Sequence, residues 1–249
     1  MVGLLLGGNA MAQPTWLQAE AVQAVLEGAV PLGTGVRLDI PAVTQDGSSV
    51  QVTIEVESPM TSDDYIEHIH LFALDNPSPE LIDVSLTPLA GQATLTTRIR
   101  LDRSQTVVAL ARRSNGDWLA AARDVRVTVS GCLSREGTYR ADQVMQARVR
   151  VPESGRPGAP MEVRTLIQHP METGLRQDDD GEVIPERIIE RFDAAIDGAS
   201  VLEARLHRAM AANPYLLFTI APEQSGELRM TWTENTDATV TETARFEIR

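Results

Sequence analysis

The chain has 249 residues and no lysine: its 22 basic residues are all arginines, set against 35 Asp and Glu, for a formal net charge of −13. A P-loop, a Schiff base to pyridoxal phosphate and a Ser-Lys dyad each need a lysine ammonium, so these chemistries are excluded. The acid excess, without clustered basic and aromatic residues, also argues against a nucleic-acid-binding protein.

The first residues resemble the end of an export signal. The apolar run Leu4-Leu5-Leu6 precedes Ala10-Met11-Ala12, whose small-x-small pattern is typical of a signal-peptidase site, although no positively charged segment leads it. We therefore expect residues 1–12 to be the remnant of an export signal. No later stretch approaches the roughly 18 apolar residues of a membrane span, so no membrane segment is expected.

A short helix followed by antiparallel strands is predicted for residues 13–131. Thr15 and Gln18 form a capping box before apolar residues at helical spacing, which end at Gly28. From Val50 to Glu57 apolar and polar residues alternate, as in a strand with one wet face. Further strands are predicted at residues 65–74, 93–101, 106–112 and 118–129, with an Asn115-Gly116 turn before the last.

The second half repeats this strand-rich pattern after a predicted linker at residues 132–143. In residues 144–249 strands are predicted at 147–151, 161–168, 187–196, 201–206, 215–220, 228–233 and 239–248, with an Asp197-Gly198 turn. Seven short strands in about 105 residues are typical of an immunoglobulin-like sandwich. The sequence therefore predicts an all-β protein of two immunoglobulin-like sandwiches with a short N-terminal helix.

Cys132 is the only cysteine and the first candidate for a functional residue. It follows a predicted strand that turns Val125, Val127 and Val129 inward and Arg126 and Thr128 outward, and Gly131 leaves the backbone free to present the thiol. Residues 112–140 carry six arginines against three acids, a local charge of +3 in an acidic chain. Positive surroundings lower a thiol pKa and attract anions, so Arg123, Arg126 and Arg135 are candidate anion-attracting residues. The alternatives are an inert loop thiol and a disulfide joining two chains.

His68 and His70 are a weaker candidate site. Because they lie two positions apart on a predicted strand, both rings face the same side and can chelate a metal. Two histidines still need a third ligand from elsewhere, and the sequence does not identify one. We therefore predict neither a metal nor another cofactor, and a hydrolytic or metal enzyme is the less favoured alternative.

Several short runs of sequence carry a family resemblance. They include Ser58-Pro59-Met60-Thr61, Asn76-Pro77-Ser78-Pro79, Thr97-Arg98-Ile99-Arg100-Leu101, Val127-Thr128-Val129-Ser130-Gly131-Cys132, His169-Pro170-Met171-Glu172-Thr173-Gly174 and Asn213-Pro214-Tyr215-Leu216. On these runs the first half resembles SoxY and the second half resembles SoxZ, two families of the periplasmic sulfur-oxidation system. The resemblance extends from about residue 15 to the end and implies a fused SoxYZ carrier whose halves pack through sheet faces.

The resemblance also implies a function for Cys132. In that family a cysteine near the end of SoxY, within a glycine-rich tail, carries sulfur intermediates covalently, and Gly131 and Cys132 match that position. The implied partners are a cytochrome that conjugates thiosulfate, a hydrolase that releases sulfate and a sulfane dehydrogenase, all in the periplasm. The carrier itself would catalyse no reaction.

The chain departs from the family pattern immediately after the cysteine. Leu133 and Ser134 replace the two glycines that follow it in the family, which stiffens the segment and adds bulk beside the sulfur. Related fused proteins with an internal cysteine accompany quinoprotein dehydrogenases. The alternative functions are therefore an accessory or carrier protein of such a dehydrogenase, or an interaction scaffold in which Cys132 is inert.

Overall fold

The computed structural model describes residues 14–129, 144–178 and 180–249, and most of the regular structure among them is β-strand. These residues form the helix α1 (Glu20–Leu26), two short 3-10 helices (Thr15–Gln18 and Pro88–Ala90) and the strands β1 (Val36–Asp39), β2 (Val43–Thr44), β3 (Val50–Val56), β4 (Ile66–Ala73), β5 (Glu80–Leu86), β6 (Ala93–Ile99), β7 (Gln105–Arg113), β8 (Trp118–Val127), β9 (Gln146–Arg150), β10 (Ser154–Gly155), β11 (Met161–Gln168), β12 (Ile189–Ile196), β13 (Ala199–Leu206), β14 (Tyr215–Ile220), β15 (Gly226–Glu234) and β16 (Thr239–Ile248). No helix in this part of the chain is long and apolar enough to cross a membrane.

The strands form two sheets, and both sheets run through both halves of the chain. The small sheet has the order β1-β3-β6-β14-β11-β9, and the large sheet has the order β10-β16-β15-β12-β13-β5-β4-β7-β8-β2. Counted outward from the centre of either sheet, each strand of the first half has a counterpart in the second half. In the small sheet the counterparts are β6 and β14, β3 and β11, and β1 and β9. The all-β fold with two immunoglobulin-like sandwiches is therefore confirmed, and the two sandwiches are related by a pseudo-two-fold axis.

A pair of methionines shows the same symmetry in detail. Met60 follows β3 and Met171 follows β11, and their φ angles of 50° and 49° are both in the left-handed region. Both side chains are buried. The sulfur of Met60 accepts the N–H of Ile66 at 3.5 Å, and that of Met171 accepts the N–H of Ile189 at 3.2 Å. The two Pro-Met sequences thus fix the start of equivalent strands, β4 and β12.

The two sandwiches join edge to edge rather than face to face. Strand β5 pairs antiparallel with β13 from Leu86↔Leu202 to Ile82↔Leu206, and β6 pairs with β14 at Thr96↔Leu217. The expectation that the halves pack through sheet faces is therefore wrong. Edge pairing satisfies backbone groups that would otherwise be open on both sandwiches, and a single hydrophobic core extends beneath the junction.

Alternation along the strands follows the sequence prediction closely. In β3, Val50, Val52, Ile54 and Val56 are at most 7% exposed, while the intervening polar side chains face outward. Strands β11, β14 and β16 begin and end where the sequence predicts them, and the Asp197-Gly198 turn has two positive φ angles, as a tight hairpin requires. The prediction missed β1, β2, β5 and β10.

The N-terminal helix starts later than the sequence predicts. Thr15 opens a 3-10 helix and caps nothing, and the backbone is extended at Ala19 before α1 begins. This break allows Leu17 to turn inward with Val22 and Leu26 onto the outer face of the large sheet. The side chain of Gln23 donates to the carbonyl of Leu17 at 2.6 Å, which ties the two short helices together.

Candidate functional site

The segment that carries Cys132 is attached to the fold at the end of β8. Gly131, Cys132 and Arg135 lie outside the described residues, so their predicted roles rest on the sequence. The last described residues before them are held by backbone bonds: Thr128 N–H donates to Thr44 at 3.1 Å, and Gly47 N–H donates to Val129 at 2.8 Å. The chain therefore stays anchored to within three residues of the cysteine.

The predicted alternation of inward-facing valines does not continue to Val129, which lies beyond the end of β8. Val125 is 2% exposed, Val127 is half-buried and Val129 is 57% exposed. The prediction that Val129 faces inward is therefore wrong: among the described strands only β2, which is two residues long, pairs with this end of β8, and that pairing ends at Val127. Arg126 and Thr128 are exposed, as predicted.

Among the described residues, the positive charge counted along residues 112–140 does not form one patch. Arg112 pairs with Trp118 at the start of the β7–β8 hairpin, whereas Gln105 pairs with Val125 at the other end. Seven residues of strand separate these ends by roughly 23 Å. Arg123 and Arg126 are both exposed, but their odd spacing places them on opposite faces of β8. The anion-attracting role of Arg123 and Arg126 stays a prediction.

The chain leaves toward Cys132 and returns from it at the same end of the sandwich. Beside Val129, Gly47 accepts the N–H of Leu101 at 2.8 Å. Downstream of the cysteine segment, Met145 N–H donates to Gln168 at 2.9 Å, beside the His169-to-Gly174 run. Strands β3, β6 and β11 thus bring both attachment points to one end of the two-sheet core.

Arg100 connects these two attachment points across the junction. Its side chain is 4% exposed and donates to the carbonyls of Met171 at 2.7 Å and Pro170 at 3.1 Å. Its own N–H donates to Ala209 at 2.8 Å. The sequence predicts no role for Arg100, because strand periodicity does not show that a charged residue beyond a strand end is buried by another half of the chain.

A buried network fixes the His169-to-Gly174 run from the other side. His169 Nδ1 accepts the N–H of Met171 at 3.0 Å, so its Nε2 carries the proton and donates to Glu234 at 2.8 Å. Glu234 also accepts Arg187 Nε at 2.7 Å and the hydroxyl of Thr236. Burial alone would raise the pKa of Glu234, but its three donors outweigh burial and lower it. Burial lowers the pKa of His169, which favours the neutral ring.

A second histidine cluster crosses the junction on the outer face of the large sheet. Asp83 accepts His70 Nδ1 and His207 Nε2, each at 2.8 Å, and these residues come from β4, β5 and the segment after β13. Burial alone would raise the pKa of Asp83, but the two histidine donors outweigh it and lower the pKa. His68 contacts Ser85 Oγ at 3.2 Å instead. Within the described residues no group of three or more His, Cys, Asp or Glu could hold a metal ion.

Two protein-family models match consecutive parts of the chain. Residues 22–132 match "Sulfur oxidation protein SoxY", and residues 149–245 match "Sulphur oxidation protein SoxZ". The SoxY match ends on Cys132. Together the two matches cover most of the chain. The SoxY match ends at the first residue of the predicted linker, and the SoxZ match begins after the linker. None of the curated proteins matches.

Solved structures resemble the fold only loosely. The sulfur carrier protein SoxY of Chlorobium limicola f thiosulfatophilum is 23% identical, with 44% of this chain and 94% of that chain covered and a TM-score of 0.37. A superoxide reductase (neelaredoxin) of Ignicoccus hospitalis is 18% identical, with 38% and 80% covered and a TM-score of 0.35. Scores this low support no argument about function, so the assignment rests on the two family models. The chain belongs to the SoxY and SoxZ families, joined in one polypeptide as a fused SoxYZ sulfur-oxidation protein.

Proposed function

We propose that this chain carries sulfur intermediates of thiosulfate oxidation as covalent adducts of Cys132. The observation that supports this most directly is the extent of the SoxY match, whose last residue is the only cysteine of the chain. Anchoring of the chain up to Val129 agrees with a segment presented from a rigid base.

The first step joins thiosulfate to the thiol. The cysteine thiol and thiosulfate form an S–S bond, giving Cys–S–S–SO3⁻, one proton passes to solvent and two electrons pass to the thiosulfate-conjugating cytochrome. A hydrolase then adds water across the terminal S–S bond, which releases sulfate and two protons and leaves the cysteine persulfide anion, Cys–S–S⁻. A sulfane dehydrogenase can oxidise the remaining sulfur. The carrier supplies only the sulfur nucleophile, whose thiolate is the reactive form.

We place this function in the periplasm. The apolar run Leu4-Leu5-Leu6 followed by Ala10-Met11-Ala12 supports export, although these residues lie outside the part of the chain that the structure describes. The partners proposed are the cytochrome, the hydrolase and the dehydrogenase named above. A disulfide-linked homodimer through Cys132 would be the oxidised resting form of the same thiol.

The test is the intact mass of the protein. After incubation with thiosulfate and the thiosulfate-conjugating cytochrome, we expect one thiosulfate-derived adduct that a reductant removes and that Cys132→Ser abolishes. Tetrathionate supplies a control without any enzyme, because a thiolate displaces thiosulfate from it and forms the same Cys–S–S–SO3⁻ adduct. An unmodified mass with both reagents, or an adduct that survives Cys132→Ser, would contradict the proposal.

The second candidate is an accessory or scaffold protein with an unreactive cysteine. Leu133 and Ser134 favour it, because they replace glycines that would keep the cysteine segment flexible. The rate of thiol alkylation against pH separates the two candidates. An ordinary thiol pKa with slow alkylation favours the scaffold, whereas a lowered pKa favours the carrier.

A further inference from the structure

The outer face of the small sheet presents a cluster of arginines from three strands, which we call the arginine face. Strand register places its members side by side. Strands β6, which carries Arg98, and β14 pair at Thr96↔Leu217, and Leu217 in turn pairs with Arg164. On the outer side Arg164 pairs with Arg150. The face consists of Arg98 on β6, Tyr215 on β14, Arg164 on β11, and Arg148 and Arg150 on β9.

This cluster is formed by the fold and is not visible along the chain. Tyr215 pairs with Leu166, and Leu166 pairs with Arg148, so one row of side chains crosses from β14 to the sheet edge. At the other end of this row the guanidinium of Arg98 lies 5.3 Å from the centre of the Tyr215 ring. The face therefore combines both halves of the fused chain, with an aromatic residue at its middle.

The charges of the arginine face are largely uncompensated. Arg164 pairs with Glu162 at 2.8 Å. Arg98, Arg148 and Arg150 make no ion pair with any residue that the structure describes. In a chain with a net charge of −13 this is a local reversal of sign. Arginine and tyrosine are also among the residue types most enriched at the energetic centres of protein interfaces.

The arginine face lies at the end of the molecule to which the Cys132 segment is attached. Strand β9 is the first element after that segment, and Arg148 is only its third residue. Arg98 is two residues from Arg100, whose side chain reaches the Pro170 and Met171 carbonyls beside the returning chain. A protein bound to this face would therefore be close to the chain on both sides of Cys132.

We propose that the arginine face docks an acidic surface of a partner enzyme that reacts with Cys132, an inference that rests on the proposed carrier function. The face is a pleated sheet surface of side chains from four strands rather than a pocket, so it fits a protein surface better than a small anion. Its charge is opposite to that of most of the molecule. Complementary charge steers an acidic partner to this end and raises the association rate.

The test compares two double variants with equal charge change. Arg148→Gln with Arg150→Gln removes two charges from the face, and Arg229→Gln with Arg245→Gln removes two exposed charges from the far side of the large sheet. The measurement is kcat/KM for cytochrome-catalysed conjugation of thiosulfate, at low and high salt, followed by intact mass. At low salt we expect a loss of about tenfold or more in the face variant alone, which disappears at high salt.

Tetrathionate separates failure of docking from failure of the carrier function. The rate of its direct reaction with Cys132 should be equal in both double variants, since no partner takes part. Equal cytochrome rates in the two double variants, with a normal tetrathionate adduct, would overturn the docking proposal alone. A wild-type dimer in sedimentation that the face variant dissociates would also overturn it, because the face would then bind a second copy. No adduct on the wild type would refute the carrier function.

Discussion

Replacing Arg100 by methionine should weaken the junction between the two sandwiches. The change keeps an unbranched side chain of similar length and removes the guanidinium that donates to Met171 at 2.7 Å and Pro170 at 3.1 Å. Hydrogen bonds to charged groups contribute about 1.5–3 kcal/mol each, so losing two costs about 3 kcal/mol or more. In a chain of this size, 3 kcal/mol lowers the Tm by about 6–12 °C.

The assay is thermal unfolding followed by circular dichroism, with Arg103→Met as the matched control. Arg103 is 67% exposed and pairs only with its neighbour Asp102 among the described residues, so its loss should change stability by less than about 0.5 kcal/mol. Because both sheets cross the junction, we expect each protein to unfold in a single transition. Equal Tm values for the two variants would refute the role given to Arg100.

Two further predictions concern the junction and the buried histidine. Gly91 has a φ of 69° and an added Cβ would collide with Ala221 across the junction, whereas Gly116 has a φ of 93° and an added Cβ would meet nothing within 4 Å. In urea unfolding, Gly116→Ala should lower the free energy of unfolding by about 1–2 kcal/mol and Gly91→Ala by clearly more. Equal losses would contradict the edge-to-edge junction. The pKa of His169 is lower in the folded chain than its ordinary value of 6.5. Below pH 6.5 the unfolded chain therefore binds a proton at His169 more readily than the folded chain does. The contribution of His169 to stability should therefore be complete above pH 6.5 and be lost as the pH falls below 6.5 in urea unfolding. The slope should be smaller in His169→Gln, and an unchanged slope would assign the effect to other groups.

Local periodicity predicted most strands because most have one buried and one exposed face. The alternation of Val50 to Val56 needs no long-range information, and Asp197-Gly198 defines its turn by backbone preference alone. Strand β5 was missed because the Asn76-to-Pro79 run ahead of it looks like a continuing loop, although Ile82, Val84 and Leu86 alternate within it. One of the four strands that form the junction is therefore among those that the sequence prediction missed.

The site was less predictable than the fold because its residues come together only across the junction. Counting charges along residues 112–140 grouped Arg112 with Arg126, which the β7–β8 hairpin separates. Counting charges along the chain does not show that Arg98 and Arg148 belong together, although the small sheet places them in one row with Tyr215. Sequence motifs predict a role for Cys132, which stays a prediction, whereas the charges of the described residues can be grouped only from the sheet order.

The edge-to-edge junction also changes how the stability of this protein depends on its concentration. Two separate subunits that shared these sheets would expose β5, β6, β13 and β14 on dilution, and their folded fraction would fall with concentration. In the fused chain these edges meet within one molecule, so their pairing is a unimolecular event. The edges that would otherwise be free to pair with other chains stay covered even in very dilute solution.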